Sequence, residues 1–257
     1  MNITNLPEEC ISQIISYTSP KDACRCSLVN SALRAVADSD DVWESFLPSD
    51  YKEIISQSSS PHLISLYKKS LFFHLCDQPV LLADNIMAFS MEKQTGKKCY
   101  MLGSRGLGII WVDHPQYWKW KPMSESRFSQ VVELDIVWWL EVWGRLETKL
   151  LSPNTTYGVF FVYKFGRRKR GFRNRYVQLK LEVGASENES CRSVILDIGR
   201  NVPQPRNDGW NEVEMGEFFN EHGEDGSVVA RLVEFDENAP LQGLIVEGIE
   251  FRPKDTE

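Results

Sequence analysis

The chain has 257 residues, 42% of them hydrophobic, and a formal charge of −7 at neutral pH. That composition suits one large or two modest globular domains, and the net acidity argues against a phosphate backbone as main partner, which makes nucleic acid unlikely and leaves only local basic patches for it. No basic, then apolar, leader opens the sequence and no run approaches the ~18 consecutive apolar residues of a membrane span, so a soluble cytosolic protein with no membrane partner is expected.

In that compartment Cys10, Cys24, Cys26, Cys76, Cys99 and Cys191 are expected to be free thiols, and the Asn-x-Ser/Thr matches at Asn2, Asn154 and Asn188 are chance occurrences. The four histidines stand too far apart for local ligand pairs, and Cys24 and Cys26 are one residue too close, so neither metal nor cofactor is expected.

The first ~48 residues follow a helical period. Pro7 reads as a first-turn residue, Glu8 and Glu9 sit where the helix dipole favours acid, and Ile11, Ile14 and Ile15 line one face. A second helix starts at Pro20, Ser31 or Asn30 caps a third bearing Leu33 and Val36, and Ser39 to Asp41 introduce Val42, Trp43, Phe46 and Leu47. So small a bundle rarely buries enough surface to stand alone and should lean on a partner or on the next segment. In that segment, residues 48–60 end in a serine run that reads as a loop, and residues 61–76 read as one amphipathic helix.

The run Asn5-Leu6-Pro7-Glu8-Glu9-Cys10-Ile11 with Ile14-Ile15, then Asp22 to Val29, then Val42-Trp43, resembles the F-box family over about the first 47 residues. The resemblance implies docking to a Skp-type adaptor and, through it, to a cullin ubiquitin ligase. Leu6, Pro7, Ile11, Ile14, Leu28, Val29 and Trp43 stand at the matching positions. Such a contact works by burying apolar residues at helical spacing in a partner's groove. Ile15, Leu33 and Val36 are instead expected in the bundle's own core.

After Asp77 the text turns to short β-branched and aromatic runs separated by Gly, Pro, Asn and Asp. Expected strands are Lys98–Leu102, Ile109–Trp111, Val131–Leu134, Val137–Thr148, Thr156–Phe165, Tyr176–Val183, Ser193–Ile198, Trp210–Met215, Val228–Phe235 and Leu244–Phe251. Many strands with few helices between them favour antiparallel sheets. Trp138, Trp139, Trp143 and Trp210 lie in strand-like contexts and are expected in the core.

Lys97 to Leu102, Ile109-Ile110-Trp111-Val112-Asp113-His114-Pro115-Gln116-Tyr117-Trp118-Lys119-Trp120, Trp139-Leu140-Glu141, Arg206 to Trp210, Gly216 to Phe219, Gly223 to Gly226 and Gly248 to Pro253 resemble the phloem protein 2 family, to which the tobacco lectin Nictaba is related. The resemblance implies a jelly-roll-like β-sandwich that binds N-acetylglucosamine oligomers or N-glycans without catalysis. It implies sugar contacts from Trp111 and Trp118, with Glu234 as an acidic acceptor; Ser227 stands where relatives can carry a second glutamate. The chemistry suits this. An indole stacks on the C–H face of a pyranose, while Asp113, Gln116 and Tyr117 offer hydrogen bonds to hydroxyls and Pro115 stiffens the loop.

Residues 164–175 hold seven basic residues and no acid, and read as a solvated hairpin loop or, alternatively, a nuclear-import or nucleic-acid patch. No GxSxG, P-loop or HExxH sequence occurs, and no enzyme is expected. The expectation is therefore an α+β multidomain chain: a small F-box bundle over 1–47, a helical linker over 48–79 and a mainly antiparallel lectin-like β-sandwich over 80–257. It is expected in cytoplasm and nucleus as a substrate-recognition subunit that presents a glycoprotein for ubiquitination, or as an adaptor whose sandwich has lost sugar binding and reads protein surfaces.

Overall fold

A computed structural model describes residues 6–173, 175–184, 190–197, 204–223, 226–236 and 239–254. Asn2, Asn5, Asn188, Ile198, Glu224 and Asp225 lie outside the described residues. Two compact units emerge, Met1–Ala83 with Phe89–Cys99, and Asp84–Ala88 with Tyr100–Glu257.

The first unit carries α1 (Glu8–Ser16), α2 (Pro20–Cys26), α3 (Ser31–Ala37), α4 (Asp40–Phe46), α5 (Tyr51–Ser56) and α6 (Lys68–Asp77). Local chemistry explains the starts. Ser19 Oγ accepts the Asp22 N–H at 3.1 Å with Pro20 in the first turn, and Asn30 Oδ1 accepts the Leu33 N–H at 2.8 Å. Pro7 precedes α1 in extended conformation and is the cap, not part of the first turn.

Ile11, Ile15, Leu33 and Val36 are buried, as is Trp43, whose Nε1 donates to Ala37 O at 2.8 Å. The 61–76 helix is interrupted: Pro61–Ser65 form a 3-10 turn, Leu66 is extended, and α6 starts at Lys68. Residues 48–79, expected as a linker, share the unit with the bundle. Phe72 and Phe73 of α6 lie 5.2 Å from the Trp43 ring, and the Lys68 N–H donates to Asp40 at 2.8 Å. This supplies the apolar surface that forty-odd residues lack.

Strands β1 (Val80–Leu82), β2 (Met87–Met91) and β3 (Lys98–Gly103) follow. The second unit continues through β4 (Gly108–Ile109), β5 (Trp118–Lys121), β6 (Val131–Leu134), β7 (Leu140–Glu147), β8 (Thr155–Arg170), β9 (Val177–Val183) and β10 (Ser190–Val194). It closes with β11 (Gln204–Pro205), β12 (Asn211–Asn220), β13 (Ser227–Glu234) and β14 (Gln242–Pro253). One sheet runs β3-β14-β8-β12-β11, with β6 on β14 and β5 on β6; the other runs β10-β9-β13-β7-β4. The pairings are antiparallel.

The sheets meet face to face. A Cβ on Gly144 of β7 would lie 3.0 Å from Leu102 and 3.2 Å from Ile249, both on the opposite sheet. Leu140, Val142 and Leu146 of β7 are buried while Trp143 and Arg145 face outward, the period-two pattern of a half-solvated strand.

Two expectations are corrected. Trp210 is buried, its Nε1 donating to Glu125 O at 3.1 Å, but Trp138 and Trp143 are 49% and 38% exposed and Trp139 is half-buried. Trp143 stands on the outer face of β7 because Val142 and Gly144 take the inner one. The basic run is not a loop over its whole length, since β8 extends through it to Arg170. Phe165 carries the strand onward by packing against Tyr163 and Phe172 at 5.6 and 5.2 Å.

Candidate functional site

The F-box-matching positions divide into buried and exposed. Ile11 is 4% exposed and Trp43 0%, so both belong to the internal core, as Ile15 does, and neither can enter a partner's groove in this conformation. Pro7 is exposed and Leu6 half-buried. Ile14 is 43% exposed, Leu28 77% and Val29 68%, and Tyr17, which the sequence reading passed over, is 82% exposed. Leu28 and Val29 follow α2 on turns closed by their N–H groups donating to Arg25 O and Cys26 O at 3.1 Å. Apolar side chains held outward by ordered backbone form an uncovered surface.

In the second unit, residues 110–117 form the loop between β4 and β5. Its turns are pinned by the Ile110 N–H on Glu141 O (3.1 Å), the His114 N–H on Trp111 O (2.9 Å) and the Tyr117 N–H on His114 O (2.9 Å). Trp111 sits at φ +58°, a left-handed backbone that bulky residues rarely adopt, and its side chain is 37% exposed. Around it gather Tyr117 at 5.3 Å and Trp139 at 4.6 Å between ring centroids, with Phe235 at 5.8 Å from Trp139. Phe235 is 63% exposed and Asp113 lies exposed on the loop. This is an aromatic platform with a carboxylate on the same loop, a surface on which an apolar sugar face can stack.

Trp118 is not part of it. The side chain is 2% exposed and its Nε1 donates to Ile110 O at 2.9 Å, so the ring underpins the loop from within and offers no stacking face. The alternation Trp118-Lys119-Trp120-Lys121 carried the missed signal: it is a strand, and period two turns Trp118 inward. Trp120 is half-buried with the Arg105 guanidinium 3.6 Å from its ring centre.

Glu234 is also held inside. It is 3% exposed, faces Arg175 Nη1 at 3.3 Å and accepts the Asp236 N–H at 2.7 Å. Burial raises its carboxyl above the usual range, outweighing the Asp236 N–H and the Arg175 charge. Its geometry orders the 234–236 turn beside Phe235 instead of leaving an oxygen for a ligand. Trp111 and Tyr117 are thus brought together with Trp139 and Phe235, while Trp118 and Glu234 support them from below. Among the described residues no cluster of three or more His, Cys, Asp or Glu could hold a metal, and no helix is long and apolar enough to cross a membrane.

The F-box-like family profile matches residues 3–49 and the phloem protein 2 profile residues 97–253. F-box protein PP2-B10 of Arabidopsis thaliana is 41% identical over 259 residues, spanning 97% of this chain and 93% of the relative. F-box protein PP2-B15 of the same plant is 37% identical (97% of this chain, 96% of the relative), and F-box protein VBF is 37% identical (97% and 99%).

Proposed function

Because this chain belongs to the phloem protein 2 family and carries an F-box-like N-terminal unit, we propose that it is the substrate-recognition subunit of a Skp–cullin–F-box ubiquitin ligase. The helical unit docks the adaptor, and the sandwich captures glycans containing N-acetylglucosamine on the protein to be modified. The observation that carries the docking role is the outward set Pro7, Ile14, Leu28 and Val29. Four apolar side chains at family positions are left uncovered by their own bundle. The reading assigns no chemical step to this chain and sets its work in cytoplasm and nucleus.

Co-purification with a Skp-type adaptor tests the first half. Leu28→Ala with Val29→Ala is expected to lose the adaptor while the helices stay folded; retention would mean that the interface lies elsewhere. A glycan array tests the second half, with binding expected for the native chain and lost in Trp111→Ala.

A second reading gives the sandwich a protein surface to recognise in place of a sugar. It is favoured by the engagement of Glu234 with Arg175, which occupies the acidic acceptor that a lectin site needs. Silence on the array, with a partner still captured from extract, would select it. Turnover of an oligosaccharide would replace both by a glycan-processing enzyme.

A further inference from the structure

A second concave region lies on the sheet that carries β5, β6, β8 and β14, separate from the tryptophan platform. It encloses about 510 Å³ and is bordered by Lys119 and Lys121 from β5 and by Lys164, Arg167 and Arg168 from β8. Five cations against Glu133 and Asp135 leave a local excess of positive charge in a chain whose total is −7.

The cations differ in what already holds them. Lys119 pairs with Asp135, Lys121 with Glu133 at 2.6 Å and Lys164 with Glu125 at 3.4 Å. Among the described residues no carboxylate pairs with Arg167 or Arg168. These two stand where the β8–β14 ladder is irregular: Leu244 faces Phe165 and Gln242 faces Arg170, so four residues of β8 bulge over the single Gly243. Gly243, at φ +81°, admits this, because a Cβ there would lie 2.3 Å from Arg168 O. The bulge is therefore built into the sequence, and it brings both neighbours to the rim.

We infer that this cleft binds a sugar-sized ligand bearing one tetrahedral oxyanion ester, a sugar phosphate or sugar sulfate. Two arginines in the lining, neighbours in sequence, suit such oxygens through charge-assisted hydrogen bonds. The volume lies within the usual 300–1,000 Å³ of small-ligand sites, far beyond a bare anion, and Met123 and Phe165 offer apolar wall to a ring. A long polyanion fits less well, since Glu125, Glu133 and Asp135 flank the lysines and the rest of the chain is acidic.

Calorimetric titration of the full chain at 0.15 M salt with glucose 6-phosphate and with glucose 6-sulfate is the test. Saturable binding of either supports the inference and tells which ester is preferred. Arg167→Ala with Arg168→Ala is expected to weaken it at least tenfold, while Arg173→Ala, in the same basic run but outside the cleft, changes it less than twofold. Trp111→Ala leaves it unchanged, which separates this cleft from the glycan platform. Absence of binding by both esters, equal affinity for inorganic phosphate, an equal loss in Arg173→Ala, or tighter binding of single-stranded DNA with steep salt dependence would each overturn it.

Discussion

In the helical unit, Ile11 and Ile14 are three residues apart on α1, one buried and one uncovered; in the sandwich, Trp111 and Trp118 are seven apart and divide the same way. The first division is one of cover, since positions i and i+3 share one side of a helix and only Ile11 is buried by the rest of its unit. The second follows from a change of structure between the two residues, because the loop ends and β5 begins at Trp118. A family motif therefore mixes residues that hold a surface with residues that are the surface, and only the packing around them and the local backbone sort them. The largest effects should come from the holding residues and the smallest from the presented ones.

Trp43→Ala and Trp118→Ala are the strongest tests. Each ring is fully enclosed and donates one indole hydrogen bond to a backbone carbonyl. Each loss should cost about 3–5 kcal/mol, Trp43 in the helical unit and Trp118 in the sandwich, read as separate shifts in denaturant unfolding. If Trp118→Ala left stability untouched, the ring would belong to the ligand surface after all.

The buried charges of the sandwich come next. Arg127 and Arg206 approach Glu250 at 2.8 and 2.6 Å. Burial alone would raise the Glu250 carboxyl, but the two guanidinium charges outweigh it and hold it at about 2. A folded value below the ordinary 4.5 contributes stability that is complete above that value and lost as pH falls towards 2, on the order of 3 kcal/mol in all. Glu247, three residues earlier and fully buried, has the opposite sign: burial raises it despite hydrogen bonds from Ser126 Oγ and the Arg127 N–H. Its contribution is present below the ordinary value and fades as pH rises through the folded one. At pH 7, Glu250→Gln should destabilise the sandwich and Glu247→Gln stabilise it, in urea unfolding; equal signs would refute the contrast.

Much of this was legible in the sequence, for reasons that differ between the units. Proline, acidic first turns and Asn30 announced the short helices, and apolar spacing chose Ile15, Leu33 and Val36 for the core. The strand pattern gave most of the antiparallel elements, the four-residue β6 among them, yet β1, β2, β5 and β11, of two to five residues, escaped it. Charge masked the strand character of β8 beyond Phe165. The Trp111–Trp139–Phe235 platform was hidden because its members come from three separate stretches, and only pairing of β4 and β13 with β7 brings those stretches together.

The docking surface should give a large change in binding and almost none in stability. Leu28 and Val29 project from α2's exit with little of their own bundle around them. Their double alanine variant is expected to weaken adaptor capture at least tenfold while the melting temperature moves by less than the equivalent of about 0.5 kcal/mol per site. A matching fall in stability would show that these side chains pack inside the unit.

Trp111 gives the finest discrimination, because its side chain and its backbone make opposite demands. The exposed ring forms the platform, whereas φ +58° is a conformation that costs an L-residue roughly 1 kcal/mol relative to glycine. Trp111→Ala removes the ring and keeps the strain, while Trp111→Gly removes both. Glycan binding should vanish in each, but Trp111→Gly should unfold at higher denaturant than Trp111→Ala, by about 1 kcal/mol. That ordering requires the strained turn to persist when the ring is gone, held by the His114 N–H on Trp111 O and by Trp118 beneath. If instead both variants fall by several kcal/mol, Trp111 holds the loop as Trp118 does, and the ligand surface must be sought at Trp139 and Phe235.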